Sequence, residues 1–327
     1  MLKLTKTSMV ALISLAGCLS FAASKPDQGG ADLLTHAASL QNIREQGAHA
    51  FQVRMRIHAE HIVAKPMDGA YAEVWVAPDK WRREVSFPGF IQLETGDADS
   101  KWMTRDLDFR PRVAYLTALS LEAFIRPQLQ QEDVVKSVHG KKVQGVEARC
   151  VDVVRKDGKY PKGLCFDSAG VLVDEVNGQH RFEYGDFVKF GEKIFPKSIR
   201  AYEKNRKVLE ISAEITEPTD LRPELFQHTS TAHKLAPCER WEAVPEKKVA
   251  PHYPENARAG HQEGTVILYV LLSNEGVVER TSVLESAGKA LDQSATEAVQ
   301  QWIYSPITCG AVPLETEIEV SVNYELR

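Results

Sequence analysis

The sequence predicts an α+β chain: an N-terminal helix, a large curved antiparallel sheet of half-barrel form, and then a small ββαβ module. Three observations predict it. Residues 31–47 carry one apolar helical face (Leu33, Leu34, Ala37, Leu40, Ile43), closed by Gly47. Residues 51–215 are a succession of short strand-like runs divided by turn residues, with one helical stretch at 113–130 broken at Pro127. The last strand alternates without interruption. Thr316, Ile318, Val320, Val322, Tyr324 and Leu326 face one way; Glu315, Glu317, Glu319, Ser321, Asn323 and Glu325 face the other.

Each element follows from its residues. Phe51, Val53, Met55, Ile57 and Ala59 alternate with Gln52, Arg54, Arg56 and His58, so the first strand has one buried face. A second strand is expected at 71–77, a turn at Pro78-Asp79-Lys80, and a third strand from Trp81. Further strands are expected near 90–93, 101–105, 145–154, 164–166, 171–176, 181–184, 197–202 and 208–215. Residues 229–249 lose periodicity and gather Thr, Ser, Pro and Lys. They form the expected linker between a first domain at 31–228 and a second at 250–327.

In the second domain, Tyr253 before Pro254 gives an extended entry, and residues 255–259 a short helix stopped by Gly260. Residues 266–272 are almost wholly apolar and read as a buried strand. Asn274-Glu275-Gly276 turns the chain into a return strand, which Ser286-Ala287-Gly288 breaks. Leu291, Ala295, Ala298, Val299 and Trp302 share one helical face, and Tyr304-Ser305-Pro306 ends that helix.

The chain has 327 residues, a length suited to about two domains. Net charge is −5; residues 245–327 hold twelve Asp/Glu and six Lys/Arg. Neither part is a basic surface, which argues against nucleic-acid binding. Nothing in the pattern specifies an oligomeric state.

Residues 1–24 read as a secretion signal, with Lys3 and Lys6 before an apolar run at 9–23 that is short for a membrane span. Two processing routes fit. Ala22-Ala23-Ser24 is an ordinary cleavage site, and Leu15-Ala16-Gly17-Cys18 matches the bacterial lipobox, which would lipidate Cys18. Both place the chain in the periplasm or cell envelope of a Gram-negative-type bacterium. The lipidated form would sit on the outer membrane, because Leu19 is not the aspartate of inner-membrane retention.

Either route leaves four cysteines. A tight turn at Asp157-Gly158 puts Cys150 opposite Cys165. Cys238 precedes the second domain and Cys309 lies in its last loop. The expected bridges are Cys150–Cys165 and Cys238–Cys309, worth roughly 3 and about 4 kcal/mol in loop entropy. No Cys-x-x-Cys pair supports a metal site instead.

The second domain resembles the C-terminal domain of the TonB family. The residues that carry this are Tyr253, Pro254, Ala257, Arg258, the run Glu263-Gly264-Thr265-Val266, Gly288, Leu291, Asp292, Ala295, Ala298, Val299, Trp302 and Pro306, and the alternating last strand. Tyr304 stands where the family has Phe. The resemblance implies β-augmentation: the last strand (Thr316, Ile318, Val320, Val322, Tyr324) would pair with an extended segment of an envelope partner such as an outer-membrane receptor. The alternative is a self-contained edge blunted by its glutamates.

Residues 31–228 resemble, more diffusely, the periplasmic lipoprotein-carrier (LolA/LolB-like) superfamily, through VWVAPDKWRREV at 74–85, FEYGDFVKFGEKIFPKSIR at 182–200 and the closing ITEPTDLRPELFQ. That resemblance implies a half-barrel whose concave face could hold a lipid-like ligand; a filled core is the alternative. An energy transducer of the TonB kind also needs an uncleaved membrane helix and a Pro-rich spacer. A folded first domain is expected in their place.

No catalytic motif is present: there is no phosphate-cradling glycine loop, no Gly-x-Ser-x-Gly elbow and no His-Glu-x-x-His. His58 and His61 lie on opposite faces of a strand path, Asp97 and Asp99 lack calcium-loop spacing, and Trp75, Trp81 and Trp102 read as sheet packing. No cofactor, metal or enzymatic activity is expected. The leading reading is a non-enzymatic envelope protein that binds a partner segment through its second domain. A lipid or lipoprotein carrier or sensor comes next, and an adaptor with neither activity third.

Overall fold

The structure is a computed structural model. It describes residues 26–326 except 64, 98–99, 108, 128, 130–132, 157–160, 179, 236–242 and 310–311. The Cys18 and Cys238–Cys309 expectations therefore lie outside the described side chains. The first domain opens with α1 (Pro26–Gln41), β1 (Phe51–Ala59), β2 (Met67–Ala77), β3 (Lys80–Phe87), β4 (Phe90–Asp97) and β5 (Ser100–Arg105). Next come α2 (Arg112–Ile125), β6 (Asp133–Val143), β7 (Val146–Arg155), β8 (Lys162–Phe166) and β9 (Leu172–Asn177). Then β10 (His180–Phe190), β11 (Lys193–Glu203), β12 (Arg206–Thr216), a 3-10 turn (Pro223–Phe226) and β13 (His233–Leu235) complete it.

All these strands form one antiparallel sheet in the order β13-β5-β4-β3-β2-β1-β12-β11-β10-β9-β8-β7-β6. Its two outer strands do not meet, so the sheet curves without closing. The pairing of β1 with β12, from Gln52↔Thr216 to Ala59↔Leu209, joins the start of the run to its end. β1 alternates as its sequence dictates, with Phe51, Val53, Met55, Ile57 and Ala59 all buried. Hairpin turns use the left-handed backbone a two-residue turn needs: Lys204 and Asn205 both have positive φ, 49° and 63°. Cys150 and Cys165 are cross-strand partners of β7 and β8 and are joined by a disulfide.

The helices lie on the concave face. Phe51, Phe124, Phe166, Phe182, Tyr184 and Phe195 make its buried centre. Buried Gln41 stitches the layers, donating to Phe124 O (2.8 Å) and accepting from Leu172 N (2.8 Å). Among the differences from expectation, two have a clear physical cause. The helix expected at 31–47 ends at Gln41, because the Asn42 side chain accepts the N–H of Arg44 (3.1 Å) and turns the chain. β6 is a strand the sequence hid: at this outer edge most of its side chains are exposed, so it lacks the alternation that marks a half-buried strand.

The second domain contains β14 (Pro245–Lys247), α3 (Glu255–Ala259), β15 (Gly264–Leu272), β16 (Val278–Glu285), α4 (Lys289–Val299), β17 (Ile303–Tyr304), β18 (Thr308–Cys309), β19 (Val312–Pro313) and β20 (Thr316–Tyr324). Its main sheet runs β16-β15-β20, with α4 across one face. Val266, Leu268 and Val270 pack with Leu291, Ala295, Val299, Val320 and Val322 as a separate core. β13 and β14 fall within the segment expected to be a linker: β13 extends the first sheet against β5, and β14 pairs with β17. Among the described residues, no helix is long and apolar enough to cross a membrane.

Candidate functional site

The motif residues of the second domain hold it together. The Tyr253 hydroxyl donates to Gln262 O, its ring meets Tyr324 edge-on (5.5 Å), and Arg258 stacks over it (5.6 Å). Pro254 caps α3, and Gly264 opens β15 at φ 153°, with an added Cβ only 3.0 Å from that of Ala287. Asp292 accepts from Ala287 N (2.9 Å) and Ser286 Oγ (2.5 Å), fixing the break before α4. Leu291 is fully buried, and Trp302 Nε1 donates to Val249 O (2.8 Å). Pro306 follows β17, where the chain must leave the ladder. These residues build the module around a sheet that, among the described residues, has an unpaired backbone edge.

That edge belongs to β20. The strand pairs with β15 along its whole length, from Gly264↔Tyr324 to Leu272↔Thr316. Among the described residues nothing pairs with its other side. Thr316, Val320, Val322 and Tyr324 are buried toward α4 and Ile318 is half-buried, while Ser321 and Asn323 are exposed.

Glu317 and Glu319 do not point to water as a solvent-blunted edge would require. Arg105 grips Glu317 with both Nη atoms (Nη1 at 2.9 Å to Oε2), and the Tyr269 hydroxyl donates to the same carboxylate (3.0 Å). Arg112, at the start of α2 and 2% exposed, reaches Glu285 (2.5 Å), Glu203 and Glu319 (3.5 Å). His180 Nδ1 lies 3.1 Å from Glu203. Phe109 packs on Tyr269 (5.8 Å), and Lys204 donates to Thr265 (2.9 Å). The sheet face opposite α4 is thus docked on the rim of the first domain. Period-two alternation could not reveal this, because buried ion-paired glutamates and solvated ones give the same pattern.

Burial alone would raise the Glu317 carboxyl, but the Arg105 guanidinium outweighs it and holds Glu317 below the usual glutamate range. Glu203 is held down in the same way, with His180 and Arg112 outweighing burial. Glu319 goes the other way: burial raises it, and Arg112 only partly offsets this. Glu317 and Glu203 therefore stabilise the docked form above the ordinary glutamate pKa of about 4.3, and lose that contribution as pH falls through their lower folded values. The stabilisation from Glu319 belongs to its protonated form, is complete below its unfolded pKa and is lost as pH rises through its raised folded value. At neutral pH, Glu317→Gln should cost about 1–3 kcal/mol in urea unfolding, whereas Glu319→Gln should be neutral or slightly stabilising. Equal losses would contradict this account.

Between the domains lies a cleft of about 2020 Å³. Its floor is the inner face of β2–β5, where Arg44 grips Glu73 with Nε and Nη2 (2.8 and 2.6 Å) and Glu122 with Nη1 (2.8 Å). The Tyr71 hydroxyl donates to Glu73 (2.8 Å), and burial with the neighbouring Glu73 pushes its pKa far up. Residues 313–321 of the second domain form one border of the cleft. Among the described residues, no group of three or more His, Cys, Asp or Glu is placed to hold a metal.

Residues 249–326 match the family model described as Gram-negative bacterial TonB protein C-terminal. Protein TonB of Vibrio cholerae is 38% identical over 86 residues, 26% of this chain and 35% of that protein. Protein tonB2 of Pseudomonas aeruginosa is 35% identical over 79 residues, 24% of this chain and 29% of that protein. The chain thus spans about a third of the length of the curated relatives it matches. Among solved structures, a LolA superfamily protein from Nitrosomonas europaea is similar at a TM-score of 0.35 and 13% identity, covering 63% of this chain and 99% of that one.

Proposed function

We propose that this chain is a non-enzymatic cell-envelope protein whose TonB-like module binds an extended segment of a partner along β20, in association with outer-membrane transport. The observation that carries the reading is the open edge of β20: among the described residues nothing pairs with its outer side, and in the order β16-β15-β20 it is one of the two edge strands of its sheet, the one that borders the cleft. An added strand would satisfy that row of N–H and C=O groups, with affinity from the main chain and selectivity from alternate side chains. The partner would be an envelope protein such as an outer-membrane receptor. The docked first domain fixes the module to a rigid body, a different arrangement from a module at the end of a long spacer.

A photo-reactive residue at exposed Ser321, in the full chain in its own envelope, should cross-link to a partner segment; one at Val146, exposed at the β6–β7 turn of the first sheet, should not. Val320→Pro should remove the Ser321 cross-link. Equal cross-linking from both positions would contradict strand pairing.

The cleft supports a second reading, a carrier or sensor of a lipid-like ligand. Its volume would accept one, although the Arg44, Glu73 and Glu94 side chains on its floor suit a polar occupant better than acyl chains. Lipid co-purifying in stoichiometric amount, seen by native mass spectrometry, would support the carrier; its absence after gentle extraction would count against it.

A further inference from the structure

The cleft and the open edge are one site. Residues 313–321 line the cleft consecutively, including neighbours from both faces of β20. A strand offers consecutive residues of both faces to one space only along its edge. A segment paired to β20 would therefore run inside the cleft, with the first domain as its second wall.

The cleft also has a charge of its own. Its lining holds eleven Lys/Arg and eight Asp/Glu, in a chain of net charge −5. Six of those acids already have a cation beside them: Glu73 and Glu122 by Arg44, Glu94 by Arg83, Asp133 by Lys162, Glu317 by Arg105 and Glu319 by Arg112. Exposed Lys234 and Lys248 have aromatic partners, Trp102 at 6.0 Å and Trp302 at 4.9 Å. They stand on either side of the connection between the domains. A cation held over a ring can still accept a carboxylate at modest cost.

We propose that the cleft selects an acidic extended peptide segment of a partner protein, paired to β20 and read by the Lys234 and Lys248 walls. The proposal rests on the strand-pairing reading and adds the chemistry of the partner and the role of the first domain. The carboxylates belong on the peptide face shared with Ile318 and Val320. On the other face they would stand beside Glu317 and Glu319, where like charges directly across a ladder are destabilising.

The test uses the full mature chain and three fluorescent peptides in an anisotropy titration: one alternating Thr and Glu, one alternating Thr and Lys, and the Thr/Glu peptide N-methylated at alternate backbone amides. The acidic peptide should bind at least about tenfold more tightly than the lysine peptide, the preference shrinking as salt rises. Lys234→Glu with Lys248→Glu should weaken acidic binding about tenfold or more, while both are exposed and leave the fold intact. N-methylation should abolish binding without altering the protein. If the two charge types bind equally and N-methylation still abolishes binding, pairing stands and the acidic preference is overturned. If the acidic peptide binds regardless of N-methylation, the pairing reading fails and this proposal with it. Failure of all three peptides to bind overturns the proposal.

Discussion

Arg112→Ala is expected to loosen the second domain from the first at a cost of about 3–5 kcal/mol, the scale for removing one partner of a buried charge network. The guanidinium is 2% exposed and stands among Glu203, Glu285 and Glu319, from three different strands. Without it those carboxylates would face one another, and burial already disfavours ionised Glu319. Arg112→Lys should rescue little, because one compact ammonium cannot serve carboxylates arranged around a planar fork. Urea unfolding followed by near-ultraviolet signals should then separate into two transitions, the second domain's shifted to lower denaturant. A variant that unfolds at the wild-type midpoint would show that apolar packing through Phe109 and Tyr269 carries the docking instead.

Glu73→Gln should destabilise the first domain by about 3 kcal/mol. Glu73 is 1% exposed and takes both a bidentate Arg44 contact and the Tyr71 hydroxyl. A neutral amide would leave Arg44 buried with Glu122 as its remaining carboxylate. Arg44→Met with Glu73→Leu should cost less than the sum of the single changes, since removing both charges leaves neither stranded. Additive losses in the double variant would mean that the two side chains act independently.

The sequence revealed β1 and β20 readily because one face of each is buried and period two is then enforced. β15 was legible as an apolar run, and the module's helices by their apolar faces and glycine stops. The docking surface was not legible. Glu317 and Glu319 carry the same alternation in water or under Arg105 and Arg112, and the arginines lie about two hundred residues earlier in the chain. The floor of the cleft was hidden for a related reason: Arg44 stands just past α1 in a stretch read as helix, and nothing local links it to Glu73, 29 residues further along the chain. β13 was hidden by its length, three residues being too few to show a period. Long-range ion pairs leave no periodic trace.

The most direct test of strand pairing is amide hydrogen exchange across Thr316–Tyr324 in the full chain, with and without the acidic peptide. Strand pairing predicts that alternate β20 amides, those pointing away from β15, slow strongly on binding, while their neighbours, already bonded to β15, change little. Binding that leaves the outward amides exchanging at their free rate would contradict it.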